Sequence, residues 1–210
     1  MKLTFWFDPA CPWTWNTSRW ITGVTAQRPE VEVDWRSFSL KIKNADVDLP
    51  DFIVPRITAS HALLRVVEAA RAAGHGDRVG ALYTELGRRI HHEDELEFDV
   101  AEVLAALGLP VELAAAADDE SLDPVIEASM GEALDLAGDD VGVPIIRFPG
   151  GDQPVGFFGP ILIEVPTGDE ALKLFDAVAA AASLPAFTEL KRARKSGPVL
   201  PAEPEAIAVG

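Results

Sequence analysis

Apolar and polar positions divide the chain into stretches with different periods. Leu3-Thr4-Phe5-Trp6-Phe7 is apolar on both faces, the pattern of a strand covered on two sides. Asp8-Pro9-Ala10-Cys11-Pro12 breaks that run. Pro12 suits the first position of a helix, which makes Cys11 its N-cap, and the helix is expected to reach about Gln27. From Val31 to Leu40, Val31, Val33 and Trp35 alternate with Glu32, Asp34 and Arg36, which predicts a second strand. A helical crossover between the two strands makes them parallel.

Lys41 to Pro55 reads as a polar loop with two prolines. Helical spacing of apolar residues then predicts a series of helices. Ala59, Ala62, Leu63, Val66, Val67 and Ala70 mark one; Val79, Leu82, Tyr83, Leu86 and Ile90 the next. Val100, Val103, Leu104 and Leu107 mark a third, ending at Gly108, and Leu122, Val125, Ile126, Met130, Ala133 and Leu134 a longer fourth. The period then changes. Pro144 to Phe148 and Val155 to Phe158 read as two strands of a hairpin, joined by a turn at Pro149-Gly150-Gly151-Asp152. Leu172, Leu174, Phe175 and Val178 mark the last helix. The fold class is therefore α/β. Residues 1–50 and 140–195 are expected to form one discontinuous sheet-bearing domain, 51–139 an all-helical insertion, and 196–210 a loose tail rich in Gly, Pro, Ala and Glu.

A net charge of -16 repels phosphate backbones, so no nucleic-acid partner is expected. The basic cluster Lys191, Arg192, Arg194, Lys195 reads as positive charge at a helix end. No apolar run is long enough for a bilayer span, so no membrane partner is expected. The start of the chain lacks a signal-peptide pattern, so the expected location is cytoplasmic. There is one cysteine, which excludes an internal disulfide and a thiolate zinc cluster; no metal site is expected.

A lone cysteine is either a buried small hydrophobe or a reactive thiol. At the N-cap, Cys11 faces unsatisfied backbone N–H groups and the positive helix end, which favour the thiolate and lower the expected pKa. Flanking prolines and the neighbouring Trp13 and Trp15 add to the reactive reading. His91-His92-Glu93-Asp94 reads as a solvated helix terminus rather than a metal cluster, because adjacent helical residues do not face each other.

The segment Phe5-Trp6-Phe7-Asp8-Pro9-Ala10-Cys11-Pro12-Trp13-Thr14-Trp15, followed by Thr17-Ser18-Arg19-Trp20-Ile21, resembles the active-site segment of DsbA-family proteins, and most of all the actinobacterial mycothiol-dependent nitroreductase and reductase proteins. Arg89-Ile90-His91, Gly142-Val143-Pro144, Phe157-Phe158-Gly159-Pro160 and Pro166 with Gly168-Asp169-Glu170-Ala171 are similar in the same order. The resemblance implies a thioredoxin fold with a helical insertion, and a cis Val143–Pro144 bond facing the thiol. It implies that the loop holding Asn44 lies near the site. Pro12, Asn44 and Val143 are substrate-binding candidates, and so is Trp13, whose place at a helix start exposes it for stacking on substrate.

The group usually carries Cys-Pro-Trp-Cys, and here the last position is Thr14. With no resolving thiol, a dithiol cycle is impossible and a monothiol cycle remains. Thr14 is expected to donate a hydrogen bond to the Cys11 sulfur. The leading expectation is a thiol-dependent oxidoreductase with no tightly bound cofactor. Mycothiol or a similar thiol would be its cosubstrate, and mixed disulfides or small electrophiles such as nitro compounds its substrates. Two alternatives stay open, a non-redox thiol transferase or isomerase and a redox-inactive binding module. A homodimer is compatible with this reading.

Overall fold

The computed structural model describes residues 1–150 and 155–206. Strand β1 (Lys2–Phe7) is buried from Leu3 onward, and helix α1 (Pro12–Gln27) leads to β2 (Glu32–Ser37). A single turn of helix, α2 (Leu40–Lys43), follows, then α3 (Val54–Ala72), α4 (Val79–His91), α5 (Val100–Ala106) and α6 (Asp123–Ala137). The hairpin β3 (Ile145–Phe148) and β4 (Val155–Phe158) and helix α7 (Gly168–Ala182) complete the order. The hairpin turn expected at Gly151-Asp152 lies outside the described residues.

The sheet has four strands in the order β2-β1-β3-β4. β1 pairs parallel with β2, Phe5 opposite Trp35, and antiparallel with β3, Phe5 opposite Ile146. β1 is therefore central, as its two-sided apolar pattern requires. On one face Phe7 stacks on Tyr83 of α4 at 4.1 Å between ring centroids, while on the other Trp6 Nε1–H donates to Ser129 O of α6 at 2.9 Å. Tyr83 also packs against Trp15 and Trp35, so the aromatic core runs from the sheet into the helices without a break. α4 comes this close because of two glycines. A Cβ on Gly80 would overlap the Trp35 ring, and one on Gly87 the Trp15 ring.

The second strand ends at Ser37 rather than Leu40. Ser39 turns the chain by capping α2, its Oγ accepting from Ile42 N–H at 3.2 Å. A 3-10 helix at Val111–Asp118 had no counterpart in the periodicity, its alanine run having no distinct apolar face. The basic cluster at 191–195 is not at a helix end, because α7 stops at Ala182; Arg194 instead lies over the Trp13 ring at 5.2 Å. From 196 to 206 the chain has no helix or strand, yet Val199 N–H donates to Ile163 O at 2.7 Å and Glu203 pairs with Arg88 at 2.8 Å. The stretch expected as a loose tail thus runs as a strap against α1 and α4. Among the described residues no helix is long and apolar enough to cross a membrane.

Candidate active site

The chemistry-bearing thiol sits where β1 hands over to α1. Cys11 has the extended backbone of an N-cap, φ -80° and ψ 111°, and its Sγ takes the capping role, accepting from Thr14 N–H at 3.5 Å. Pro12 fills the first helical position, where its missing N–H costs nothing. Across the sheet, Cys11 Sγ–H donates to Val143 O at 3.6 Å. The Val143–Pro144 peptide is cis, and Pro144 O accepts from Gly159 N–H at 2.8 Å. Three of the sequence candidates, Cys11, Thr14 and Val143, therefore meet at one point, with Pro144 adjoining.

Burial decides the state of the thiol. Cys11 is 6% exposed, and this desolvation pushes its pKa above the ordinary thiol value, with the Asp8 charge adding to the push. The Thr14 hydroxyl and the Thr14 and Trp13 amides pull the other way and lose. The helix N-terminus alone would lower the pKa, but the cost of sealing a thiolate from water outweighs it. A neutral thiol is also what the contact with Val143 O needs, since a thiolate has no proton to donate. Thr14 Oγ1 lies close enough to favour the thiolate, yet it is sealed and has no well-formed hydrogen bond to any group. It is a donor without an acceptor while the proton stays on sulfur.

Asp8 holds the loop that carries Cys11. One carboxylate oxygen accepts from Ala10 N–H at 2.8 Å and from Ser60 Oγ–H of α3; the other accepts from Leu40 N–H of α2 at 2.7 Å. No cation is among these partners. Burial therefore dominates, and the Asp8 pKa rises to about 6 despite the three donors.

His91 does not belong to a solvated helix end, as its place in the run His91-His92-Glu93-Asp94 suggests, because it packs into the site. Its Nε2–H donates to Pro9 O at 2.8 Å, inside the loop before Cys11, and its ring packs against Trp15 at 5.4 Å. Burial draws its pKa down to about 4, so it is neutral and holds the loop as a donor. His92 Nε2 accepts from Trp15 Nε1–H at 3.1 Å. The clue in the sequence was the motif Arg89-Ile90-His91, which ends an apolar helix on its first histidine.

The remaining candidates are less central. Trp13 is half-buried beneath Arg194. Asn44 donates its side-chain amide to Leu40 O at 2.7 Å and closes α2; it makes no contact with Cys11. A second buried chain runs Ser39 Oγ, His61 Nδ1 (3.0 Å), His61 Nε2, Asp123 (3.1 Å), with Arg65 forking onto Asp123 at 2.6 and 2.8 Å. Ser39 is sealed and committed to capping α2, so this chain is scaffold.

The solved structure of the cytosolic disulfide reductase DsbM from Pseudomonas aeruginosa superposes with a TM-score of 0.59 at 17% identity, covering 86% of this chain and all (100%) of that one. DsbM has also been solved with GSH. A 2-hydroxychromene-2-carboxylate isomerase superposes with a TM-score of 0.53 at 14% identity, over 86% of this chain and 95% of that one. At such identities these likenesses establish the fold, a DsbA-like thioredoxin fold with inserted helices. In sequence, the chain is 30% identical over 210 residues to the uncharacterized protein Rv2286c of Mycobacterium tuberculosis (strain ATCC 25618 / H37Rv), spanning 98% of this chain and 86% of that protein. Residues 10–192 match the model of the Rv2466c-like family, described as mycothiol-dependent nitroreductase Rv2466c, and the chain belongs to that family.

Proposed function

We propose that this protein is a thiol-dependent oxidoreductase that works with a single thiol, Cys11, in a reducing cytoplasmic setting, and uses mycothiol or a similar small thiol as cosubstrate. The observation that carries the reading is the meeting of Cys11 Sγ with Val143 O ahead of the cis Pro144, in a chain with one cysteine. A disulfide substrate seated beside β3 competes for Val143 O, as an added strand would. Losing that acceptor removes one reason for sulfur to keep its proton, and the Thr14 hydroxyl then has a thiolate to donate to.

The thiolate attacks one sulfur of a mixed disulfide. The S–S bond breaks, Cys11 keeps one half as a new disulfide, and the other half leaves as a thiolate that takes up a proton. A molecule of the small thiol then attacks the Cys11 mixed disulfide, forms a new disulfide and returns Cys11 as a thiol. Thr14 takes no part in bond exchange, which separates this cycle from one with a resolving cysteine. For a nitro substrate the balance is two thiols oxidised to one disulfide, the nitro group reduced to nitroso, and one water released.

The alternative, a non-redox transferase or isomerase, draws on Thr14. Its unpartnered hydroxyl can hold the sulfur of a bound thiol cosubstrate without any exchange. Steady-state exchange between a mixed disulfide and excess small thiol separates the two. The redox reading expects turnover in the parent and none in Cys11→Ser. It also expects faster release of the bound thiol in Thr14→Cys, because the resolving attack becomes intramolecular. Equal turnover in Cys11→Ser would remove the redox reading.

A further inference from the structure

Arg19 stands two turns after Cys11 on α1, about 12 Å along the axis at the usual rise per residue. Its guanidinium lies over the Trp15 ring, Cζ 4.2 Å from the centroid, and 5.8 Å from that of Tyr83. Its Nε–H donates to Ser18 Oγ at 3.2 Å. Nη2 is sealed from water and has no hydrogen-bond partner, and among the described residues no carboxylate reaches Arg19 within ion-pair distance. Burial draws its pKa down to about 10, so it stays a cation at neutral pH. Tyr83 Oη is also buried and has no well-formed hydrogen bond.

The other buried and half-buried arginines of this fold show what is missing. Arg28 forks onto Asp176, Arg65 onto Asp123, and Arg88 onto Glu85 with Glu93 and Glu203 beside it. An aromatic face accounts for the flat side of a guanidinium but leaves its edge donors unused. A buried charge with unused donors is costly unless an acceptor completes it.

Arg19 also lines a cavity of about 460 Å³ between α1 and the C-terminal strap. The opposite wall is apolar, with Val165, Val199, Leu200 and Pro201. Glu164, the acidic residue of the lining, is exposed to solvent. We propose that this cavity is a binding site for a small carboxylic acid with an apolar body. The body packs against Val165, Val199 and Leu200, and the carboxylate pairs with the Arg19 cation at the cavity wall. The strap wall of the cavity is held by Val199 N–H to Ile163 O at 2.7 Å and Asn16 Nδ2–H to Val199 O at 3.0 Å. The site does not depend on exchange at Cys11.

Calorimetric titration of the full chain with phenylacetate and with its neutral analogue phenylacetamide tests this. Phenylacetate is expected to bind at least about tenfold tighter, the worth of one charge-assisted contact to a buried guanidinium. Arg19→Met keeps an apolar chain on Trp15 and is expected to bind both probes alike. Cys11→Ser is expected to keep the full preference, which separates failure here from failure of the redox reading. If Arg19→Met does not fold, the parent's discrimination between the two probes still decides. Equal binding of both probes by the parent, or binding of neither, overturns the proposal.

Discussion

Two carboxylates bonded to α3 are treated in opposite ways. Asp8, beside the thiol, is sealed and receives only neutral donors, and its pKa rises to about 6. Asp123, at the start of α6, meets the Arg65 fork and His61, and its pKa falls to about 2. The fold thus compensates charge where it needs rigidity and leaves it uncompensated next to the chemistry. The thiol follows the same rule, buried and pushed upward, with Thr14 Oγ1 unpartnered beside it. Strongly perturbed groups without a counter-charge cluster at sites of function, whereas paired ones hold scaffolds together.

Breaking the compensated side is expected to cost most. Arg65→Ala strips Asp123 of its fork and leaves a half-buried carboxylate beside His61. Urea unfolding at pH 7 is expected to show a loss of about 4 kcal/mol, while the alkylation rate of Cys11 stays within about twofold of the parent. A loss confined to Cys11 reactivity would reverse the assignment of scaffold and site.

The next effect is a pH slope on the uncompensated side. Because the folded pKa of Asp8 lies above its ordinary 3.8, its contribution to stability is fully present below about 4 and lost as pH rises through about 6. Parent minus Asp8→Asn, measured by urea unfolding across pH 3.5 to 7, is expected to show that fall, with an amplitude of about 3 kcal/mol. Asp123 has the opposite sign: its contribution is present above its ordinary 3.8 and lost as pH falls toward 2. Parallel slopes for the two residues would dissolve the contrast.

Smaller effects fall on the thiol. Thr14→Val removes the waiting donor, and alkylation of Cys11 at neutral pH is expected to slow roughly tenfold, the worth of one hydrogen bond to a charged acceptor. Asp8→Asn is expected to move the Cys11 titration midpoint the other way, downward, because the charge that opposes the thiolate is gone.

Much of this arrangement was legible in the residues. The two-sided apolar run Leu3–Phe7, the Cys11-Pro12 helix start and the return to alternation at Ile145 correspond to β1, α1 and the β3–β4 hairpin, because local period and capping chemistry fix those elements. Three features were not legible. The thiol's upward shift depends on burial, which comes from the packing of distant elements and leaves no local mark. His91 reaches Pro9 across 82 positions of sequence, and only the motif Arg89-Ile90-His91 at the end of an apolar helix hinted at it. The strap from 196 to 206 has the composition of a loose end; isolated contacts at Val199 and Glu203 tie it down, and no periodic pattern encodes them.

The central claim, that one buried thiol performs exchange without a resolving partner, is met most directly by intact mass. The parent protein is exposed to mycothiol disulfide, then to excess free thiol. The account predicts one adduct of one mycothiol on the parent, none on Cys11→Ser, and complete removal of the adduct by the free thiol. A parent that stays unmodified, or an adduct that excess thiol does not remove, would contradict it.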